Sequence, residues 1–409
     1  FYPSIKPMDE VDNKKSKCII VIPSRLNSSR LPEKALIKID GKPLIQRVVE
    51  IARGVGGIDQ VIVATDSNKI ASLGEMSGAE SILTNSNHQN GTERLLEVMK
   101  SREADYYINL QGDEPLIDKK EIEEALNTLI KSDTEILTIC RPISLEDAKD
   151  PSKVKAIISE QNKAIYFSRA IVPYNQEKLF EHSGVYLFKK GSLRKIEKLK
   201  STALERSEKL EQLRWLEAGI SIEILIANKK SISIDTPEDL IEAERIIKIR
   251  KIKSFILDVD GVLTDGKLSY GKDGELIKVF SSQDGSAIKR LQNQGYTFAL
   301  LSGRDSEALR ARAKDLGIKN MVLGTQNKSI GIQSIQENLN LQGAEIAYIG
   351  DDIEDILPMN ICGWSFAVAN AREEVKSIAK ETLKRKGGEG VIAEVESIIN
   401  NINGISLGS

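Results

Sequence analysis

The chain has 409 residues, 40% of them hydrophobic, and a formal net charge of −2, which suits two or three globular domains. We therefore expect neither nucleic acid nor a membrane as a partner, since no bulk charge attracts them and no apolar run is long enough to span a bilayer. The scattered cysteines Cys18, Cys140 and Cys362 fit neither a disulfide framework nor a zinc site and indicate a reducing cytoplasm, and residues 1–17 lack the apolar core of a secretory signal.

Strand-like and helix-like runs alternate along the whole sequence, which predicts parallel α/β sheets. The helix-like run Ile241–Arg245 leads directly into the next strand, and no linker rich in Pro, Gly or Ser separates the two halves. We place the joint near residues 246–253. The sequence therefore predicts a polar segment over residues 1–16, a first domain over 17–248 and a second domain over 249–409.

A polar loop follows the predicted first strand, Cys18–Ile22, and carries Arg25, Arg30 and Lys34. Backbone N–H groups and cations at such a strand end can share the charge of a polyphosphate. The loop lacks the spacing of a Walker phosphate-binding loop, and a basic loop taken alone is often only surface.

Further polar segments follow later strands of the first domain. Residues 87–94 open a helix, and the strand Tyr107–Leu110 is followed by Asp113. Asp113 and Asp235 are carboxylates that can hold Mg²⁺ against a triphosphate. Thr236 can cap the helix that follows, and Asp235 lies outside that cap, so metal binding and capping do not compete.

Seven motifs in this half resemble those of the CMP-Kdo synthetases, where Kdo is 3-deoxy-D-manno-octulosonate. In chain order the motifs are S-R-L-x-S-S-R-L-P-x-K, H-Q-x-G-T-E-R, Q-G-D-E-P, Y-F-S-R, H-x-G-V-Y, L-E-Q-L-R and D-T-P-E-D-L. The resemblance covers about residues 17–246 and implies a nucleotidyltransferase fold. Sialic acid synthetases share that fold, but their first loop has the form A-R-G-G-S-K, from which this chain departs.

The resemblance also implies roles for individual residues. The groups that would bind CTP are Arg25, Lys34, Gly91, Thr92 and Arg94, with Lys34 also catalytic. The groups that would line the sugar site are Gln111, His182, Tyr186, Glu211 and Gln212. Asp113 and Asp235 would hold Mg²⁺ while the anomeric hydroxyl of the sugar attacks the α-phosphorus in line and releases pyrophosphate.

Two of these residues also have a purely structural interpretation. His182 can be a hydrogen-bonded core histidine, although the nearby motif residues Gly184 and Tyr186 favour contact with a ligand. Glu211 can form a helix-surface pair with Arg214, three residues further on. We favour the binding of sugar hydroxyls by Glu211.

The second domain begins with a short apolar strand, Phe255–Leu257, which is followed by Asp258 and Asp260. Carboxylates at a strand end, two residues apart, suit a nucleophile and a general acid that share one phosphoryl group and one Mg²⁺. Alone, this pair would predict only an Asx turn.

Three later segments complete this pattern. Ser302 and Asp351 each follow an apolar strand, and Lys328 lies in a polar stretch between them. Together with Asp258 they resemble the haloacid dehalogenase superfamily of phosphatases over about residues 252–399. More narrowly, this half is similar to the small, capless Kdo-8-phosphate phosphatases.

This second resemblance implies a phosphoryl-transfer site. Asp258 would be the nucleophile, and Asp260 would protonate the leaving oxygen and then activate water. The groups that would hold Mg²⁺ are Asp258, Asp351 and the backbone carbonyl of Asp260. Ser302 and Lys328 would bind the phosphoryl oxygens, and Asp352 would orient the site.

The stretch Lys386–Gly390 is similar to the glycine-rich tail of these phosphatases, which reaches the active site of a neighbouring subunit. The alternative is an ordinary loop before the last helix. The resemblance implies a homotetramer that is assembled through the C-terminal domains.

The sequence as a whole predicts an α/β protein of two Rossmann-like domains, a nucleotidyltransferase fold followed by a capless haloacid dehalogenase fold. Its predicted function is a bifunctional enzyme of surface-polysaccharide sugar activation. It would dephosphorylate Kdo-8-phosphate and then form CMP-Kdo from CTP, with Mg²⁺ in both domains. One alternative is the same chemistry on a nine-carbon acid, since Gln283 stands where a basic residue often precedes Asp-Gly. The other is a second domain that serves only as a non-catalytic assembly module.

Overall fold

The computed structural model describes residues 16–405, apart from Ser29, residues 175–177 and Asp273. The predicted polar segment 1–16 therefore lies outside the described residues except for its last member. The chain divides into two compact units, Phe1–Ala243 and Glu244–Ser409. Both this division and the boundary predicted after residue 248 fall within one helix, Pro237–Arg250.

The first unit is built on a mixed sheet. The strands of the unit are β1 Cys18–Ser24, β2 Lys38–Ile39, β3 Lys42–Pro43, β4 Gln60–Thr65, β5 Glu80–Leu83, β6 Tyr106–Leu110, β7 Ile136–Ile143, β8 Lys155–Ile158, β9 Ala164–Ser168, β10 Leu179–Lys189 and β11 Ile222–Ile226. Of these, β2 and β3 pair with each other outside the mixed sheet. Its helices are α1 Leu44–Arg53, α2 Asn68–Met76, α3 Gly91–Met99, α4 Lys119–Lys131, α5 Leu145–Ala148, α6 Lys190–Ile196, α7 Ala203–Glu208 and α8 Gln212–Glu217, followed by α9 Pro237–Arg250. The main strand order is β11-β7-β10-β6-β1-β4-β5.

Strand order explains where the polar loops of the first unit meet. β1 is buried along its whole length and pairs in parallel with both β4 and β6, as expected for a central apolar strand. The loops after β1 and β6 therefore leave the same edge of the sheet side by side. β10 runs antiparallel to β6, with Tyr186 opposite Asn109, so that the preceding residues of β10 lie beyond the carboxyl end of β6.

The second unit is built on a parallel sheet with the order β16-β15-β12-β17-β18-β19. The strands of the unit are β12 Ser254–Leu257, β13 Ser269–Gly271, β14 Gly274–Ile277, β15 Thr297–Ser302, β16 Asn320–Leu323, β17 Ile346–Gly350, β18 Trp364–Ala367 and β19 Glu381–Thr382, of which β13 and β14 pair outside the parallel sheet. Its helices after α9 are α10 Ser282–Asn293, α11 Glu307–Leu316, α12 Lys328–Leu339, α13 Ile356–Ile361, α14 Glu373–Ile378 and α15 Val391–Asn403.

The strands predicted before Asp258, Ser302 and Asp351 are confirmed as β12, β15 and β17. β12 is fully buried and pairs in parallel with β15 on one side and β17 on the other. The three polar strand ends therefore converge at the edge where open α/β sheets bind ligands.

Between β12 and α10, the described residues form the short antiparallel hairpin β13–β14, which is far smaller than a cap domain. No helix among the described residues is both long enough and apolar enough to cross a membrane.

Candidate active sites

A cavity of about 710 Å³ opens at the carboxyl edge of β1 and β6 in the first unit. Its wall contains most residues predicted for the CTP, metal and sugar sites, namely Arg25, Lys34, Gly91, Arg94, Gln111, Asp113, His182, Tyr186, Glu211, Gln212 and Asp235. Thr92 lies behind this wall, where its hydroxyl donates a hydrogen bond to Glu211 Oε1 over 2.8 Å.

Lys34 joins the two predicted metal-binding carboxylates. Its Nζ lies 2.6 Å from Asp113 Oδ2 and 3.1 Å from Asp235 Oδ1. Burial lowers the pKa of Lys34, but the charges and hydrogen bonds of Asp113 and Asp235 outweigh burial and raise it overall. Arg30 Nη2 adds a contact of 3.2 Å to Asp235 Oδ2. Because one ammonium reaches both carboxylates, the pair is close enough to share one bound cation, and its oxygen donors suit Mg²⁺.

The Asp235 carboxylate takes no part in capping the next helix, because Thr236 and Asp239 form that cap. The backbone N–H of Asp239 donates to Thr236 Oγ1 over 3.2 Å, and Asp239 Oδ2 accepts from the backbone N–H of Thr236 over 2.8 Å. The predicted absence of competition between capping and the Asp235 carboxylate is confirmed.

Two buried polar atoms in the cavity wall have no hydrogen-bond partner among the described residues: the Tyr186 hydroxyl and Glu211 Oε2. Burial raises the pKa of Glu211 to about 7, against the lowering effect of the Thr92 hydrogen bond. Burial and the nearby Glu211 raise the pKa of Tyr186 well above its usual value. Since buried polar atoms are normally paired, this part of the wall suits a ligand that carries hydroxyl groups.

His182 is a neutral hydrogen-bonding group. Burial lowers its pKa to about 3. The Thr138 hydroxyl donates to the Val185 carbonyl over 2.6 Å, so it accepts from His182 Nε2, which lies 2.9 Å away. This network fixes the Nε2–H tautomer. His182 therefore combines the structural hydrogen bond with a place in the cavity wall.

The surface pair considered between Glu211 and Arg214 does not form, because Arg214 Nη1 instead contacts Glu205 Oε1 at 3.2 Å. Arg94 is buried, and its guanidinium contacts Asp66 Oδ2 at 2.8 Å and Thr84 Oγ1 at 2.6 Å. These bonds hold the first turn of α3 against the ends of β4 and β5. The described contacts of Arg94 therefore indicate that it holds the segment 87–94 in shape.

The sequence did not single out Glu114 and Glu181, which also line this cavity. Glu114 Oε1 accepts from the backbone N–H of Gly184 over 2.9 Å. Burial raises the pKa of Glu181 to about 7. Glu114 belongs to a motif that we quoted, whereas Glu181 precedes His182 on β10 with no pattern that marks it.

In the second unit, Lys328 is buried between two carboxylates. Its Nζ lies 2.7 Å from Asp258 Oδ1 and 2.6 Å from Asp355 Oδ1. Asp355 also accepts a hydrogen bond of 2.6 Å from the Tyr348 hydroxyl. Sequence reasoning missed Asp355, although its spacing from Asp351 places it one short helical turn further on.

Asp258, Asp351 and Asp355 bring one carboxylate oxygen each within 4.8 Å of one another. Asp351 Oδ1 is buried without a hydrogen-bond partner among the described residues. Burial, followed by the charge of Asp355, raises the pKa of Asp351 to about 7 and that of Asp258 well above its usual value. If these three groups ionise, Lys328 offsets one charge and leaves two, which fits a divalent cation with oxygen ligands.

The Asp260 carboxylate is not part of this group. One oxygen pairs with Lys278 Nζ, and the other lies 3.8 Å from Arg304 Nε. Lys278 directly follows the β13–β14 hairpin, and no sequence pattern predicted its place beside Asp260.

The remaining predicted residues of this unit lie at neighbouring strand ends. Ser302 is buried, and its Oγ accepts from the backbone N–H of Arg304 over 3.1 Å. Asp352 is exposed, where it accepts from the backbone N–H of Ile353 over 2.7 Å and contacts Arg372 at 3.4 Å. The Asp352 side chain thus lies outside the carboxylate cluster.

The glycine-rich stretch packs against the loop that follows Asp260 in its own chain. The backbone N–H of Gly388 donates to the Val262 carbonyl over 2.9 Å. A Cβ at Gly387 would lie 1.8 Å from the Gly261 carbonyl oxygen, which only glycine avoids. The stretch therefore needs glycine for its packing within its own chain. Its contact with a neighbouring subunit stays a prediction.

The fold and the two sites define an enzyme with a nucleotidyltransferase-type domain and a hydrolase-type domain. Residues 19–226 match the family model described as cytidylyltransferase, and residues 324–395 match that of the haloacid dehalogenase-like hydrolases. The chain belongs to the cytidylyltransferase family, and its second unit carries a haloacid dehalogenase-like hydrolase domain. The predicted α/β class and the type of each domain are confirmed.

Relatives of known name match each unit. A 3-deoxy-manno-octulosonate cytidylyltransferase from Escherichia coli is 41% identical over 227 residues, which are 54% of this chain and 92% of that relative. The structure of a CMP:2-keto-3-deoxy-manno-octonic acid synthetase complexed with CTP aligns at 39% identity and TM-score 0.54 over 57% of this chain and 98% of that one. A cobalt-bound deoxy-D-mannose-octulosonate 8-phosphate phosphatase from Haemophilus influenzae is 43% identical over 38% of this chain and 92% of that one, with TM-score 0.38.

The raised pKa of Glu211 predicts a pH-dependent stability. Between about pH 4.5 and 7 the folded chain keeps a proton on Glu211 that the unfolded chain releases, so this group costs stability as the pH rises. Glu211→Gln keeps an acceptor for Thr92 and removes the buried charge. We expect the variant to gain thermal stability at pH 8, where each gain of about 1 kcal/mol raises the Tm by about 2–4 °C. At pH 5 the gain should be smaller.

Calorimetry of the full chain at both pH values checks this prediction, with the exposed Glu160→Gln as the matched control. An equal change at both pH values would contradict the assigned ionisation of Glu211.

Proposed function

We propose that this chain is a bifunctional enzyme that makes CMP-Kdo from Kdo-8-phosphate and CTP. The second domain, residues 249–409, would release phosphate from Kdo-8-phosphate. The first domain, residues 17–248, would transfer CMP from CTP to the free sugar acid and release pyrophosphate. The observation that carries this proposal is a pair of distinct carboxylate–lysine clusters, one at the carboxyl edge of each sheet.

The phosphate side of the first site follows from its charges. Arg25 and Lys34 would neutralise the triphosphate oxygens of CTP. Asp113 and Asp235 would hold Mg²⁺, which when bound screens the triphosphate and lowers the pKa of the attacking hydroxyl. Lys34 can exchange its carboxylate partners for phosphate oxygens without leaving the cavity wall.

The sugar side of the first site contains the two buried polar atoms that lack a hydrogen-bond partner among the described residues. The Tyr186 hydroxyl and Glu211 Oε2 would bind sugar hydroxyls, with Gln111, His182 and Gln212 around them. These contacts would aim the anomeric hydroxyl at the α-phosphorus for in-line attack. The C–O–P bond of CMP-Kdo forms as the bond to pyrophosphate breaks, so no covalent protein intermediate is needed.

In the second site Asp258 would attack the phosphorus while Asp260 gives its proton to the leaving sugar oxygen. Water activated by the resulting Asp260 carboxylate would then hydrolyse the aspartyl phosphate. Ser302 and Lys328 would hold the phosphoryl oxygens throughout. A divalent cation, proposed as Mg²⁺ and held by Asp258, Asp351 and the Asp260 carbonyl, would supply electrostatic stabilisation of the phosphoryl group.

The rival proposals are weaker on specific grounds. A non-catalytic second domain would not need buried, mutually repelling carboxylates, which cost stability unless a ligand uses them. A nine-carbon substrate is disfavoured by the first loop, which lacks the glycine-rich form of the sialic acid synthetases. The E. coli relative is named for the octulosonate, and that name supports the eight-carbon acid.

We also propose a homotetramer assembled through the C-terminal domains. The resemblance to the capless phosphatases carries this proposal, and it is supported by the small size of the β13–β14 hairpin, which is all that stands in the place of a cap domain among the described residues. Light scattering on the intact protein should then give the mass of four chains. A monomer with full phosphatase activity would contradict this arrangement.

The two activities should separate by mutation. Asp258→Asn should lower phosphate release from Kdo-8-phosphate by about 1,000-fold or more, because a carboxamide is not a nucleophile. CMP-Kdo formation from free Kdo should survive. Asp235→Asn should do the reverse, with CMP transfer reduced roughly 100-fold by loss of one charged metal ligand.

Phosphate and pyrophosphate release, measured in parallel on the full chain, check this prediction. Asp315→Asn, which alters an exposed carboxylate of the second unit, is the control for the substitution itself. Loss of both activities in a folded Asp258→Asn variant would refute two independent sites.

A further inference from the structure

The leaving-group side of the phosphatase site is cationic. Among the described residues, two cations face the Asp260 carboxylate, one at each oxygen. Lys278 pairs with Oδ1, and its side chain is only 2% exposed. Arg304 Nε lies 3.8 Å from Oδ2, and that side chain is 45% exposed. The buried Lys278 thus lies beside Asp260, whereas Arg304 borders Asp260 and is partly exposed to solvent.

Tyr270 holds Arg304 in this place. Arg304 Nη1 donates to the Tyr270 hydroxyl over 2.8 Å, and Tyr270 lies on β13 of the hairpin. A guanidinium has five N–H donors in a planar fork. Among the described residues, hydrogen bonds engage only Nη1 of this fork. Since the side chain is 45% exposed, a ligand can reach it from solvent.

The position of Arg304 favours a role in binding the leaving group over a role in binding the phosphoryl group. A general acid must come within about 2.6–3.2 Å of the oxygen that it protonates. With Arg304 Nε 3.8 Å from Asp260 Oδ2, the guanidinium lies within about 7 Å of that leaving oxygen. The phosphoryl side already has Lys328 beside Asp258.

We propose that Arg304, held by Tyr270, binds the carboxylate of the leaving sugar acid and selects phosphate esters whose alcohol carries an acid group. This inference rests on the proposed phosphatase activity and names the residue that recognises its substrate class. A planar guanidinium meets a carboxylate with two parallel hydrogen bonds, which an ammonium cannot reproduce. A neutral sugar offers Arg304 no such partner. Lys278 acts differently, as a positioning residue for Asp260.

The test compares esters with and without a carboxylate. One pair is Kdo-8-phosphate against mannose 6-phosphate, and the second pair is 6-phosphogluconate against glucose 6-phosphate. In each pair the ratio of kcat/KM for the acid to that for the neutral sugar should fall about 10- to 100-fold in Arg304→Lys, mainly through KM. Tyr270→Phe should change the ratio in the same direction by less.

Two further variants make the outcome decisive. Lys278→Met should lower kcat on acid and neutral esters alike, because it acts through Asp260. Arg310→Lys, which alters an exposed arginine paired with Asp305, is the matched control and should leave the ratio as in the wild type. Thermal unfolding of each variant shows whether the fold is kept.

Equal losses on acid and neutral esters in a folded Arg304→Lys variant would overturn the inference, since Arg304 would then serve the phosphoryl group or Asp260. The failure of the proposed function looks different. In that case the wild type would leave Kdo-8-phosphate uncleaved, while the six-carbon pair would still report whether Arg304 selects acids.

Discussion

Each site depends on one lysine ammonium held between two aspartates at the carboxyl edge of a sheet. In the first unit Lys34 lies between Asp113 and Asp235, with contacts of 2.6 and 3.1 Å. In the second unit Lys328 lies between Asp258 and Asp355, with contacts of 2.7 and 2.6 Å. Carboxylates this close repel one another, and a buried pair would take up protons if no cation were present. The lysine charge offsets this repulsion and holds the two carboxylates side by side for the proposed phosphate chemistry.

The two arrangements differ in burial, and the difference suits the size of each proposed substrate. Lys328 and Asp258 each have 7% of their side chain exposed. Lys34, Asp113 and Asp235 have 16%, 25% and 32% exposed and border a cavity of about 710 Å³. A phosphomonoester needs only its phosphoryl group beside the nucleophile, whereas a cytidylyl transfer must hold a nucleotide and a sugar together.

The order of the strands made much of the fold and of the candidate sites predictable from the sequence. Apolar runs end within three residues of Asp113, Asp258 and Asp351, and in parallel sheets such ends meet at one edge. The sequence thus predicted the fold of both domains and, for the first domain, most of the residues that line one cavity. Their chemical roles stay predictions.

The residues that were missed come from elements whose place strand order does not set. Asp355 lies on a short helical turn after β17, where its carboxylate accepts a hydrogen bond from the backbone N–H of Asp351. Lys278 follows a hairpin, and no periodicity tells which side chain a hairpin will face. Glu181 precedes His182 on the antiparallel strand β10, where it lies opposite Arg141 of β7, so that its place at the cavity follows from strand pairing. Such contacts depend on tertiary packing rather than on local pattern.

The central claim is that one chain carries both consecutive reactions on one eight-carbon acid. Mass spectrometry of the full chain incubated with Kdo-8-phosphate, CTP and Mg²⁺ tests it most directly. The account predicts CMP-Kdo together with equal amounts of phosphate and pyrophosphate, without any added phosphatase. Release of phosphate while CTP stays intact and free Kdo accumulates would contradict it, as would Kdo-8-phosphate that remains uncleaved.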